Sequence, residues 1–440
     1  MMGSTLNLAY SGGGGGGAGV VTLDEFCSFK SSGTVDHGTA TALSSARFWG
    51  SSAALKDICF LFGGSSQYHQ TDSNSGAVDS YTSERVRGSV TGLSQARTYS
   101  SATANKNYAL VFGGFYSYAP CNNVDAYNGS GVRTTATSLS TALRGAAAGT
   151  VGDYSLCIGG MTDSFSSILA TVEAYNSDLV KTSVPSLSAA RLAIIPASNG
   201  ETLLAMGGAT ARASATTAVD VYTAALVHST ATAISQARAT GAGTMAGDYF
   251  ICAGGGYGCD DTGGPHGTTN VDFFDADLVH SVGTVLNEAR KFLGGASVRA
   301  GAIICGGVGA SYASDSGTNN AEMYSESMVH TTLESLNAAR GTYLSVVSFP
   351  DADTVLVLGG GYYNFTVFST VDYYAVPPAA FTELTVPAGS RYRFDGIHDA
   401  EQTAAATTKL SYMEAISGYI KLPSLTLGGV HENPTLVASI

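Results

Sequence analysis

The chain has 440 residues, 44% of them hydrophobic and only 12% charged, with 55 glycines and a formal net charge of −13. That apolar share is incompatible with a disordered chain. The acidic balance, with no long basic run, disfavours a nucleic-acid backbone or an anionic lipid surface as partner.

Taken from the start, Met1-Met2-Gly3-Ser4-Thr5 has no basic or apolar region of a secretion signal, so none is expected. Residues 6–11 followed by Gly12-Gly13 read as a strand ending in a glycine pair, 26–29 as a third strand, and 35–42 as a fourth leading into Leu43 and Arg47. The run Gly12 to Gly17 lacks the Lys-Ser/Thr of a phosphate loop and reads as a flexible loop or close backbone packing.

From there a cassette recurs. Leu93-Ser94-Gln95-Ala96-Arg97 is followed by Gly113-Gly114 and then Val124-Asp125-Ala126-Tyr127. The arginines of successive copies are Arg47, Arg97, Arg144, Arg191, Arg238, Arg290, Arg340 and, more loosely, Arg391. Their spacings of 50, 47, 47, 47, 52, 50 and 51 define a repeat architecture. Within one unit, residues 98–104 read as an inner strand of small residues, 108–112 as a second strand ending at the glycine pair, and 124–127 as a third, with a fourth returning to the next arginine. The loop after the glycine pair varies, spanning 65–77, 115–123 and 256–270 in three units. In an up-and-down sheet it shares one face with the arginine-bearing connections, and variable loops on a fixed scaffold carry binding function. The cysteines total seven and have no disulfide-framework spacing. Cys59, Cys157, Cys252 and Cys305 fall in the apolar strands, so folding is expected in a reducing compartment.

Seven glycine pairs, from Gly63-Gly64 to Gly359-Gly360, are each followed by an acidic-x-aromatic triplet, from Asp79/Tyr81 to Asp372/Tyr374. This pattern resembles the kelch repeat, which implies an all-β, kelch-type β-propeller of four-stranded blades. The family's outer-strand Trp is missing, since Trp49 is the one tryptophan. A connection at 386–391 and an inner strand at 392–397, joined to the N-terminal strands, favour eight blades closed by pairing of the two termini. Seven blades plus terminal additions is the alternative. The expected division is a propeller over 1–404, with 1–42 and 387–404 forming the closing blade, and a small β-rich appendage over 405–440 suited to capping, oligomerisation or attachment.

His37, His228, His280 and His330 each stand ten residues before a repeat arginine, a position filled elsewhere by Arg87 and Lys181. One such residue per blade is a polar edge position, and ligands spread around a disc do not converge on an ion, so no metal is expected. Acidic pairs such as Asp260-Asp261 do not complete a calcium loop. The repeated arginines form either a cationic ring or one structural tie per blade, and repetition favours the tie. The candidate ligand-binding residues are loop aromatics: Tyr68, Phe115, Tyr116, Tyr118, Tyr257, Tyr312, Tyr362 and Tyr363. Tyr offers a flat apolar face with a polar rim, suited to a sugar ring or a partner's hot spot.

No catalytic set or cofactor motif is brought together by the sequence. The expectation is a non-enzymatic recognition protein that binds a glycan or a surface protein. Its Gly, Ala, Ser and Thr richness fits a virion or phage-tail component. The alternatives are an intracellular kelch-type scaffold and, behind it, a sugar enzyme of the galactose oxidase or sialic acid epimerase type.

Overall fold

The computed structural model describes residues 27–30, 35–67, 73–162, 165, 167–259, 267–309, 317–341, 344–349, 353–361 and 366–376. Beyond these it describes the backbone of strands at 380–386, 391–394, 397–401, 406–408, 414–416, 419–421 and 437–439. Two compact units result, one of Asp36–Ala375 and one of Met1–Val35 with Val376–Ile440.

In the first unit the cassette folds as the alternation of its residues dictates. Blade two is representative. Its inner strand Ser101–Ala104 pairs with Tyr108–Phe112, which pairs with Val124–Asn128, which pairs with the outer strand Arg133–Thr135. Small side chains suit the inner strand because the blades converge there. The second strand reads as a continuous apolar run because both its faces are covered: Leu110, Val111 and Phe112 are fully buried. Phe60 and Phe62 of blade one pack on Ala109, Val111 and Tyr127 of blade two, so the core is distributed between neighbouring blades.

Seven such four-stranded sheets follow one another. The seventh joins the chain's ends: Ser345–Ser348, Thr354–Leu358 and Val371–Ala375 are completed by Asp36–Ala40, in register from Asp36↔Ala375 to Ala40↔Val371. A second ring of bonds gives the same count. The second glycine of each pair donates its N–H to a carbonyl of the next connection: Gly64 to Arg97, Gly114 to Leu143, Gly160 to Arg191, Gly208 to Arg238, Gly255 to Arg290 and Gly307 to Arg340. Gly360 to Arg47, at 3.1 Å, returns to the start. Only glycine serves there: Gly64 has φ +103°, and a Cβ would lie 2.7 Å from the Phe48 carbonyl oxygen.

The structure therefore corrects the eight-blade expectation and matches its alternative, seven blades with terminal additions. The N-terminal strand expected to complete an eighth blade instead completes the seventh, because Val371–Ala375 otherwise presents an open edge. In the second unit, Cys27–Lys30 pairs with Ala380–Val386, Arg391–Phe394 forms a hairpin with Ile397–Glu401, and Glu414–Ile416, Tyr419–Lys421 and Val437–Ser439 form a sheet. Arg391 thus starts a hairpin rather than an eighth blade. The strand and glycine pair expected over 6–13 lie outside the described residues. Among the described residues no helix is long and apolar enough to cross a membrane.

Candidate functional site

The acidic residue of each triplet is the centre of a repeated ion-pair module. Asp79 receives the Arg47 guanidinium at 2.7 Å, Arg87 at 3.1 Å, and the N–H and hydroxyl of Ser44 at 3.1 and 3.0 Å. Asp125 is held likewise by Arg97, Arg133 and Ser94. In blades four to seven the outer-strand cation position is histidine: His228 on Asp220, His280 on Asp272, His330 on Glu322 and His37 on Asp372. The connection arginines Arg191, Arg238, Arg290 and Arg340 pair with the same four acids. The histidines are thus spent one per blade, and no group of three or more metal-type side chains occurs among the described residues. These arginines are structural ties, buried to within 1% of complete.

The aromatic residue of the triplet locks the preceding connection. The Tyr81 hydroxyl donates to the Thr41 carbonyl at 2.9 Å and that of Tyr127 to Thr91 at 3.0 Å. Burial, reinforced by the Asp79 charge, pushes the Tyr81 phenol far above its ordinary value.

Blade three departs from the pattern. Its tie position is held by Leu143, not Arg144: Leu143 supplies the carbonyl that Gly114 bonds, as Arg97 does for Gly64, and its side chain is 5% exposed. Glu173 consequently lacks a buried arginine and pairs with Lys181 at 3.4 Å, the two side chains 14% and 22% exposed. The expectation that Arg144 belongs to the series is corrected. The clue was present in the spacing, since counting four residues from Leu139 reaches Leu143 and not Arg144.

Displaced by one position, Arg144 joins an aromatic cluster on the loop face. Its guanidinium carbon lies 4.2 Å from the Phe115 ring centroid and 5.9 Å from that of Tyr99. Tyr99 packs tilted against Trp49, ring centroids 4.5 Å apart, and Trp49 likewise against Phe48 at 4.3 Å. Trp49 and Tyr99 belong to a chain of residues in the left-handed region, with Gly145, Ala193, Thr240 and Phe292, all at φ between 49° and 65°. Each donates its N–H to the carbonyl of the one before, from Tyr99 to Trp49 at 3.3 Å through Phe292 to Thr240 at 2.8 Å. Bulky and β-branched residues rarely hold that conformation, at a cost of about 1–3 kcal/mol each, and such strain gathers at functional sites. The next position in this chain, Thr342, lies outside the described residues.

Of the sequence-derived candidates, Phe115 and Tyr116 open a hairpin that Ala119–Pro120 closes. Its two turn residues, Ser117 and Tyr118, have φ of 46° and 64°, as a two-residue hairpin of this hand requires. Tyr116 is 40% and Tyr118 73% exposed, whereas Phe115 is half-buried beneath Arg144. Tyr257 is half-buried and accepts a hydrogen bond from the Gln236 side-chain amide, so it braces the fifth blade's loop. Tyr68, Tyr312, Tyr362 and Tyr363 lie outside the described residues. Sequence reading missed Phe48, Trp49, Tyr99 and Phe292. The available signal was large aromatics one or two places after the tie position, where a small-residue strand begins.

The propeller axis holds a cavity of about 540 Å³ lined by all seven inner strands, reaching Gly200 in a turn between inner and second strands. Its wall is Ala, Gly, Ser, Thr, Val and a few larger apolar residues, with no ionisable side chain. Several hydroxyls are already committed between blades, as in the Thr103–Thr150 pair at 2.7 Å. None of the six left-handed residues lines it, so the aromatic cluster and the cavity are separate features.

Neither a protein-family model nor a curated protein matches the chain. A solved structure described as "Structure of YjhT" matches with a TM-score of 0.54 at 12% identity, covering 68% of this chain and 100% of that one. The fold is a seven-bladed β-propeller. At that identity the likeness speaks for the fold alone, and the seven-bladed unit, with its loop face, is the ground on which function has to be argued.

Proposed function

We propose that this propeller is a non-enzymatic recognition protein whose loop face binds a glycan or a surface protein, in the role of a virion- or tail-associated host-recognition component. The observation that carries the reading is the exposed Tyr116–Tyr118 hairpin standing beside the half-buried Phe115–Arg144–Tyr99 cluster. Aromatic faces with polar rims on a rigid, strained scaffold suit a sugar ring or a protein hot spot. The low-charge, Gly- and Ser-rich composition supports a particle component exposed to solvent on many sides. The uncharged wall of the axial cavity supports binding rather than acid–base chemistry at that place.

The test is binding of the purified protein to a glycan array and to intact bacterial cells, beside the Tyr116→Ala/Tyr118→Ala double variant. Saturable binding that the variant loses, with its thermal melt unchanged, is the expected result. Equal binding by both proteins would remove this hairpin from the site, and absence of binding by the wild type would turn the search to a protein partner.

A further inference from the structure

The chain holds two Asn-Gly dipeptides, Asn128-Gly129 and Asn199-Gly200. Glycine leaves its own amide nitrogen unshielded by a side chain, so that nitrogen can attack Cγ, the side-chain carbonyl carbon of the preceding asparagine. Both dipeptides lie in turns of the face opposite the variable loops. The first joins the third and outer strands of blade two, and the second joins the inner and second strands of blade four. Gly129 and Gly200 are both exposed, so access to water does not separate them.

The electrophile is prepared alike in both. Asn128 Oδ1 accepts the N–H groups of Ser130 and Val132, each at 3.0 Å, and Asn199 Oδ1 accepts those of Glu201 and Thr202 at 3.0 and 2.8 Å. Two donors on a carbonyl oxygen draw charge from its carbon and stabilise the oxyanion that attack creates. The nucleophiles differ. The Gly200 N–H is spent on the Ser198 hydroxyl at 3.0 Å, and the Gly200 carbonyl accepts the Gly152 N–H of blade three. The Gly129 N–H makes no hydrogen bond among the described residues, and a Cβ built on Gly129 would meet only the Lys56 chain, at 4.0 Å. Blade five shows that an acid fits the first turn. There Asp275 holds the place of Asn128, its carboxylate accepting the N–H groups of Asp277 and Val279 at 3.0 and 2.8 Å.

We propose that Asn128 is a site of spontaneous covalent modification to aspartate and isoaspartate, and that the hold on Gly200 protects Asn199 from the same reaction. The Gly129 nitrogen gives its proton to solvent base and forms a bond to Asn128 Cγ. The bond from Cγ to Nδ2 then breaks, and ammonia leaves with a proton from water, so that a succinimide closes across the two residues. Water opens this ring at either of its carbonyls. Cleavage at Cγ restores the ordinary backbone with an aspartate side chain, and cleavage at the main-chain carbonyl leaves isoaspartate, with the chain running through Cβ. Each event adds one negative charge. Aspartate keeps the bonds of the turn, as Asp275 does, whereas isoaspartate lengthens the turn by one carbon. The inference is independent of what the loop face binds.

The experiment incubates the full-length folded protein at mildly alkaline pH, below its melt, beside a urea-unfolded sample. Peptide mass spectrometry locates each amide-to-acid conversion, and an isoaspartyl methyltransferase labels the isoaspartate. In the folded protein Asn128 is expected to convert roughly tenfold faster than Asn199, the worth of the bonds that Gly200 must first release. In the unfolded chain the two rates should converge. Ser198→Ala, with its melt unchanged, should quicken Asn199 and leave Asn128 as it was. Asn128→Asp should keep the wild-type melt. Conversion of Asn199 as fast as Asn128 in the folded protein overturns the proposal, as does an Asn128 that converts only when unfolded. An Asn199 rate unmoved in folded Ser198→Ala overturns the protection assigned to Gly200.

Discussion

Arg97 and Asp125 lie 2.8 Å apart with both side chains closed off from solvent, and the same pairing recurs in every blade except the third. Removing one partner leaves the other charge buried. Asp125→Ala is expected to cost about 3–5 kcal/mol, and the double change Arg97→Met/Asp125→Leu to recover most of it. Urea unfolding measures both. A loss below about 1 kcal/mol for the single variant would mean that water reaches the site.

Blade three supplies the control. Among the described residues, Glu173 is held by the part-exposed Lys181 and by the Ser140 N–H, the latter at 2.9 Å. Glu173→Gln should therefore stay within about 1 kcal/mol of wild type, well below the cost of Asp125→Asn. Equal costs would show that the acid is required for itself rather than for its arginine.

Acid should weaken the propeller through the Asp272 module. Burial pushes the Asp272 carboxyl up, but Arg238, the His280 ring and the Ser235 N–H outweigh it and hold it below its ordinary value of 3.8. A carboxyl lowered in the folded state adds stability that is complete above its unfolded value and is lost as pH falls through the folded one. The melting temperature is expected to drop as pH falls below about 4, and Asp272→Asn to flatten that profile. A profile identical to wild type would assign acid unfolding to other groups.

Gly64 tests the inter-blade ring. A methyl group there meets the Phe48 carbonyl at 2.7 Å while the backbone sits at φ +103°. Gly64→Ala should destabilise by about 1–3 kcal/mol or more, read by thermal melt. Gly200 is also left-handed at φ +91°, but has nothing within 4 Å, so Gly200→Ala should cost less.

Two interior thiols report the integrity of the blades. Burial pushes the thiols of Cys157 and Cys305 up to about 12. Neither should react with maleimide at neutral pH until denaturant is added, because the thiolate is the reactive form. Labelling of either cysteine in the native protein, located by mass spectrometry, would mean that its blade opens.

Much of this fold is legible along the chain because a blade is a local object. The glycine pair, the acidic-x-aromatic triplet and the arginine lie within about 30 residues of one another. Each has one steric or electrostatic reason to be what it is, so the type of strand and the face carrying the variable loops could be read directly. The exposed tyrosines of the 116–118 hairpin were legible for the same reason, as were the histidines, each of which answers the acid eight residues earlier or, for His37, across the closure.

The blade count was not legible, because closure is decided between residues more than three hundred positions apart: Gly360 with Arg47, and Val371–Ala375 with Asp36–Ala40. Two strands at the ends of a chain carry the same alternation whether they finish an existing sheet or start a new one. Only the packing of blade against blade determines how many units complete the circle. The role of Arg144 was decided in the same way. By its residue type it belongs with the other arginines, and only the folded connection, in which Gly114 bonds the Leu143 carbonyl, shows leucine in the interior and Arg144 half-buried over Phe115.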